Sequence, residues 1–427
     1  MVGVSTRRRF LATVAALSTG CVAGRTPEGN VSWSSHVRTR PPHETGPSPV
    51  DPERFRPVGR TVDLVTSLSE WSAPPGTEAV ADDGSGTPAS PPPFRGDRSL
   101  RLEGEQGVVA TAEFDEPLDA RNSHLSVAMY PEKPPTTDPF TVQLLAPDRA
   151  NCLVCRANYE GHFDPGWLRY DLSVDRVRGE PDPATVRAVR FDIENVSTRC
   201  WLDDLRLLPA PDRGKVMVMF DDIPESAYTR GFQAAREAGI PGAYGVITDA
   251  VGEEDRMSLS QLQEAERAGW ELVSHSKTGE QLPALDSGTQ RRYLAEAKEW
   301  LRDHAVRPAD EHFVFPLAKY NRTALENVAE FHRMAYVGGR GSAPLLTDPL
   351  TVSRRPGDRS ISQLRRWLRA TARHRNLLIL VFHHLTPETG ARFRRLVQLL
   401  AAHRDAGRLD VVTPTELAGL QSQLAER

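Results

Sequence analysis

Two adjacent carboxylates, Asp221 and Asp222, close the apolar run Val216 to Phe220. Imidazoles close two other apolar runs: His275 follows Glu271 to Ser274, and His383 and His384 follow Leu377 to Phe382. A buried pair of neighbouring carboxylates is costly unless a cation or a basic group compensates it. Neutral imidazole together with carboxylate suits a divalent metal, Zn²⁺ above all. A metal beside a free carboxylate activates water, with the carboxylate as general base, and an imidazole across the site protonates a leaving amine. Such a set hydrolyses an amide or an ester. Taken alone, Asp221-Asp222 reads more readily as a solvated turn or a helix cap after a strand. The histidines at two further strand ends favour the site.

These residues need a scaffold that brings strand ends together. From residue 214 onward the pattern alternates short apolar runs with amphipathic helical stretches, such as Gln290 to His304 and Ile361 to Arg373. Seven strand-like runs are expected: Val216 to Phe220, Ala243 to Ile247, Glu271 to Ser274, His312 to Phe315, Met334 to Val337, Leu377 to Phe382 and Leu409 to Val412. Seven βα units over residues 214–420 predict a deformed (β/α)7 barrel, with its chemistry at the C-terminal ends of the strands.

On these motifs the second half of the chain resembles the NodB-homology polysaccharide deacetylases. Met219-Phe220-Asp221-Asp222 is similar to that family's Thr-Phe-Asp-Asp motif, which implies Asp221 as general base and Asp222 as metal ligand. His275-Ser276-Lys277-Thr278 resembles the second motif, His-Ser/Thr-x-x-His, and implies His275 as a metal ligand. Phe313 to Asn321 resembles the third motif, which walls the groove. By that likeness the N–H of Leu317, after Pro316, steadies the oxyanion, and Lys319, Tyr320 and Asn321 line the same loop, with helix capping the plainer role for Asn321. Leu378 to His383 resembles the fifth motif, which implies His383 as general acid, while His384 reads as a rim residue. The implied reaction is removal of N- or O-acetyl groups from a polysaccharide.

Three departures stand out. Gly279 occupies the place of the second motif's other His, which leaves Asp222 and His275 as ligands and Glu280 as the adjacent candidate to reach in. Val314 stands where the third motif often carries an Arg, and Arg354 is the candidate substitute for an unclear fourth motif. The missing ligand raises an alternative from another class, a glycan-binding protein that keeps the groove without turnover. A glycosidase fits less well, because neighbouring Asp221 and Asp222 cannot flank one glycosidic bond.

Residues 59–210 hold short alternating runs between Pro and Gly clusters, which predicts an all-β sandwich. Its order of parts, ending in Trp201 to Leu207, resembles a jelly-roll carbohydrate-binding module, for which Tyr159, Trp167 and Trp201 are the candidate sugar-stacking aromatics; a core role is the plainer reading. Residues 22–58, rich in Pro, Ser and Thr, read as a flexible tether. Before them, Arg7-Arg8-Arg9-Phe10-Leu11, a short apolar run and Gly20-Cys21 resemble a twin-arginine export signal with a lipobox, imperfect at Ser18. This implies an exported protein anchored by a lipid on Cys21 to the outer face of the membrane, or secreted without it. Cys152, Cys155 and Cys200 admit a disulfide or plain buried thiols; one Cys-x-x-Cys is a weak metal signal. The 427 residues carry 53 Lys and Arg against 57 Asp and Glu, a net charge of −4, so no nucleic-acid partner is expected.

Overall fold

The structure, a computed structural model, describes residues 54–63, 71–85, 90–133, 137–160, 164–307 and 311–425. The proposed export signal, Cys21 and the tether up to residue 53 lie outside these residues. The described residues fall in one compact unit.

The first half forms two antiparallel sheets. Its strands are β1 (Arg60–Asp63), β2 (Trp71–Ser72), β3 (Glu78–Asp82), β4 (Ser99–Gly104), β5 (Gly107–Leu118), β6 (Ser123–Lys133), β7 (Thr137–Leu145), β8 (Cys152–Glu160), β9 (Leu168–Leu172), β10 (Val174–Arg178), β11 (Val186–Glu194) and β12 (Thr198–Pro209). One sheet runs β3-β4-β12-β6-β9, with β1 on β12; the other runs β10-β8-β7-β11-β5-β2. The alternation of Val108, Ala110 and Ala112 along β5 buries one face of that strand. Those side chains meet Leu102, Phe140, Phe191, Cys200 and Leu202 in a core shared by both sheets.

Trp167 and Trp201 do not form a sugar platform. Trp167 and Trp201 are buried with Phe55 and Tyr130, and their indole N–H groups donate to Pro92 O and Asp82 Oδ2, both at 2.9 Å. The side chain of Tyr159 lies outside the described residues. Phe55 is part of this cluster and Arg54 pairs with Asp348 at 2.6 Å, so these two residues of the expected tether pack on the folded body. Cys152, Cys155 and Cys200 are free, buried thiols, and burial pushes Cys155 up to about 12. Neither a disulfide nor a metal pair forms there.

The second half is the barrel. Its strands are β13 (Gly214–Phe220), β14 (Ala243–Val246), β15 (Glu271–Ser274), β16 (His312–Val314), β17 (Met334–Gly338), β18 (Val352–Pro356), β19 (Leu377–Phe382) and β20 (Leu409–Val411). The helices are α1 (Gln233–Glu237), α2 (Leu259–Arg267), α3 (Ser287–His304), α4 (Arg322–Phe331), α5 (Ile361–His374), α6 (Pro387–Asp405) and α7 (Pro414–Ala425). Strands β13 to β19 close a parallel ring, with β19 returning to β13. The seven members differ from those expected: β18 closes the ring, and Leu409–Val411 is an eighth strand. It pairs with Gly214 to Val216 of β13, while β14 pairs with Met219 and Phe220. Since β19 pairs along Lys215 to Phe220, β14 and β20 share the remaining edge, and β20 fills the wedge where β14 splays away.

Strand alternation decides which residues face the barrel axis. Met217, Met219, Val273, Val314, Tyr336, Val352 and Ile379 pack together inside the ring. Val216, Val218, Phe220, Leu272, Leu378 and Leu380 face the helices. Polar side chains set the helix starts: Ser258 and Gln261 form a capping box on α2, and Asp286, Ser360 and Thr386 cap α3, α5 and α6.

The two halves join through hydrogen bonds. Ser342 bridges Leu172 of β9 to Leu377 of β19. Buried Asp171 accepts from Thr347 N at 2.7 Å and Thr347 Oγ1 at 2.6 Å. Asn376 donates to Val174 O at 2.9 Å. Leu208 packs with Ala343, Leu345 and Leu424, so the barrel's last helix runs past the expected end at 420 to Ala425. The sandwich is fused to the barrel rather than strung beside it.

Candidate active site

The alternation that fills the ring also builds its mouth. Asp221 lies two residues beyond inward Met219, His275 beyond Val273, Arg354 beyond Val352, and His383 four residues beyond Ile379. The two-residue period of a strand therefore turns all four side chains toward the axis at the C-terminal end. Gly245 makes room there: a Cβ at that position would lie 3.1 Å from Asp221 Oδ1 and 3.6 Å from His275 Cβ.

Asp221 is buried, and its carboxylate receives the fork of Arg354 at 2.7 Å (Nη1 to Oδ1) and 2.9 Å (Nη2 to Oδ2). Its backbone N–H donates to Phe382 O at 2.9 Å. Burial drives the Asp221 pKa upward, but the charges of Arg354, His275 and His383 outweigh it and hold the group below the ordinary carboxylate range. The arginine on Asp221 thus comes from β18, while Val314 occupies the third motif's Arg place. His383 Nε2 lies 4.0 Å from Asp221 Oδ2, and its side chain is 61% exposed.

Asp222 follows on a left-handed backbone, φ 65°. His275 Nδ1 lies 2.9 Å from Val314 O, and only a ring N–H can satisfy that carbonyl. Its Nε2 then meets Asp222 Oδ1 at 3.3 Å. In the neutral ring that contact sets a lone pair against a carboxylate, so the pair needs a proton or a cation between them. Burial lowers the His275 pKa, yet the two carboxylates outweigh it and raise the group overall. The donor set therefore fits a divalent cation, and the carbonyl behind Nδ1 fixes the ring as it does for metal-bound histidines.

A third protein ligand is absent among the described residues, which hold no group of three His, Cys, Asp or Glu side chains able to share an ion. Glu280 is exposed and accepts from Thr278 Oγ1 at 3.1 Å; it does not join the pair. Gly279 has φ +74°, and a Cβ there would fall 2.6 Å from Ile247 Cδ1. A side chain at this left-handed position would be strained.

Leu317 and Ala318 are left-handed, φ 54° and 53°, and Leu317 is 73% exposed at the mouth. Strained non-glycine backbone of this kind gathers at functional sites. Other expected wall residues do not reach the hollow. Pro316 and Tyr320 are buried, Tyr320 against Phe315, and Asn321 caps α4 by accepting from Ala324 N at 2.8 Å. Lys319 is not among the lining residues of the hollow. His384 turns aside, its Nδ1 3.1 Å from Ser226 Oγ.

The mouth opens into a hollow of roughly 590 Å³ lined by Asp221, Asp222, His275, Leu317, Arg354 and His383. It extends to residues that carried no signal in the sequence: Asn158 from the sandwich, and Arg340, Arg355, Arg359 and Trp367 from the barrel. Basic side chains at the ends of short strands look like ordinary surface charge until the ring closes.

Residues 209–337 match the polysaccharide deacetylase family. The match holds Asp221, Asp222, His275 and Leu317 and stops before Arg354 and His383. No curated protein matches the chain. Among solved structures, similarity is found to the Xyl-CE4 domain of a multidomain xylanase from the hindgut metagenome of Trinervitermes trinervoides, at 18% identity and TM-score 0.37, over 49% of this chain and 92% of that one. A family 4 acetyl xylan esterase from Clostridium thermocellum, in complex with a cobalt ion, gives 16% and 0.35 over 48% and 91%. A family 4 carbohydrate esterase pseudoenzyme from Bacillus anthracis gives 15% and 0.35 over 48% and 66%.

Proposed function

We propose that the barrel mouth is the active site of a metal-dependent hydrolase that removes N- or O-acetyl groups from a polysaccharide. The observation that carries this reading is the meeting of Asp221, Asp222, His275 and His383 on one rim, with Arg354 forked onto Asp221. Asp222 and His275 would hold a divalent cation, Zn²⁺ by the chemistry of its donors, and such an ion would supply Lewis-acid activation of a carbonyl and of water. Asp221, kept ionised by Arg354, takes a proton from that water. The backbone N–H of Leu317 donates to the developing oxyanion. His383, on the solvent side of Asp221, protonates the leaving amine or alcohol. The arginine-rich start and Cys21 support export and lipid anchoring at the outer face of the cytoplasmic membrane, or secretion without the lipid.

A second reading is favoured by Gly279: with two protein ligands the cation binds weakly, and the groove then serves to hold a glycan without turnover. Acetate release from N-acetylated chitooligosaccharides and O-acetylated xylan, measured with added Zn²⁺ or Co²⁺, separates the two. The hydrolase reading expects release that falls about 10²–10⁴-fold in Asp221→Asn. Glycan binding with no release under any metal would leave only the second reading standing.

A further inference from the structure

One wall of the hollow carries more positive charge than the chemistry of acetyl removal uses. Arg340, Arg354, Arg355 and Arg359 all line it. Two of them are matched. Arg354 is bound to Asp221, and Arg355 reaches Asp175 of the sandwich at 3.0 Å while lying over the Trp367 ring at 4.8 Å. Arg340 is half-buried and gives its Nε–H to a neutral acceptor, Asn158 Oδ1, at 3.2 Å. Burial and the positive charges of Arg156 and Arg355 all lower its pKa, against one weaker contribution from Asp175. Arg359 is exposed, and no carboxylate stands in ion-pair range of either Arg340 or Arg359 among the described residues.

Three nearby acids are already engaged: Asp221 holds Arg354, Asp222 faces His275, and Asp175 holds Arg355. Asp358 is exposed and, like Arg359, also lines the neighbouring hollow beside His384. A half-buried guanidinium with other cations around it is unfavourable unless an anion arrives. The whole chain is close to neutral, so this is local accumulation and not general basicity. Gly338 and Gly339 keep the wall low, since a Cβ on Gly338 would come within 3.1 Å of Ala318 Cβ.

We infer that Arg340 and Arg359 form a subsite for an anionic group, carboxylate or sulfate, on a sugar next to the acetylated one, so that the substrate is an acidic polysaccharide. This rests on the hydrolase reading for the identity of the neighbouring sugar. The guanidinium fork matches carboxylate and sulfate oxygens in pairs, which a neutral hydroxyl does not satisfy as well. Asn158, from β8 of the sandwich, holds the Arg340 fork in place, so the sandwich forms part of the substrate wall.

Calorimetric titration of the wild-type protein in EDTA, with tetrasaccharides of equal length, tests the subsite without turnover. Hyaluronan supplies N-acetyl and carboxylate, chondroitin 4-sulfate adds sulfate, and fully N-acetylated chitotetraose is neutral. The acidic sugars are expected to bind about tenfold more tightly at low salt. The advantage should shrink toward 0.5 M salt and disappear in Arg340→Gln/Arg359→Gln, while chitotetraose affinity holds in that variant. A further gain with chondroitin 4-sulfate assigns the subsite to sulfate; no gain assigns it to carboxylate. Equal affinity for neutral and acidic sugars, an advantage that survives the double variant, or no binding of acidic sugars would overturn the inference. Acetate release in the earlier assay reports separately on the hydrolase reading.

Discussion

Asp221 is held from three sides, by Phe382 O, by the Arg354 fork and by nearby His383. Both partners of the ion pair are buried, so each depends on the other. Removing one member of such a pair leaves an uncompensated charge and costs about 3–5 kcal/mol. Arg354→Met is therefore expected to lower both stability and acetate release. Arg354→Lys keeps the charge without the fork; it should retain most of the stability in a denaturant titration and still lose at least about tenfold in turnover. A loss confined to stability would assign Arg354 to the scaffold alone. The metal pair leads to a different expectation at Gly279. Its left-handed backbone and the 2.6 Å approach to Ile247 mean that Gly279→His strains the loop instead of completing a third ligand. That variant should lose about 1 kcal/mol or more and gain no Zn²⁺ by equilibrium dialysis. A clear gain in Zn²⁺ would show that the loop moves to admit the side chain.

At the scale of the element, the site follows from strand parity, and much of it was legible for that reason. Apolar runs that end in Asp221, His275 or His383 announce both a strand and an inward end. Arg354 was harder to read as part of a strand, because Val352–Pro356 is short and carries two arginines, so nothing in its composition marks it as the ring's closing member. The loop after β16 misled in the other direction. Tyr320 and Asn321 have the side chains of a binding groove, but one packs on Phe315 and the other caps α4. Gly245 carried no chemical signal, since its contribution is the space it leaves. Parity makes that contribution testable. In Gly245→Ala the new methyl meets Asp221 Oδ1 at 3.1 Å, and displacing a reacting group by up to an ångström costs up to about 10²-fold. Turnover should fall while the melting temperature changes by no more than a few degrees. Unchanged acetate release would place Asp221 outside the reacting groups.

Across the whole molecule, the sandwich and the barrel form one body in which β9, Ser342 and β19 are joined in sequence. Buried polar contacts such as Asp171 with Thr347 tie the halves more specifically than an apolar patch would, because each group left unpaired would carry its full desolvation cost. Calorimetry should accordingly show one transition; two separated peaks would mean that the halves unfold independently. The seam also contains a group that responds to acid. His124 of β6 is buried against His374 O of α5 at 3.0 Å, and burial, with repulsion from Arg375, takes its pKa down to about 4 from 6.5. The folded seam therefore holds a neutral ring. Below pH 6.5 the unfolded chain takes up a proton that the folded one refuses, so stability falls as pH drops from 6.5 and levels off near 4. A shift of that size corresponds to about 3 kcal/mol. Gln at this position keeps an N–H donor and does not titrate, so His124→Gln should weaken the pH dependence of the denaturant midpoint across this window, leaving the part due to His374, which burial also takes down to about 4, while stability at pH 8 stays nearly unchanged. The same acid-induced loss in both proteins would move the responsible proton to another part of the seam.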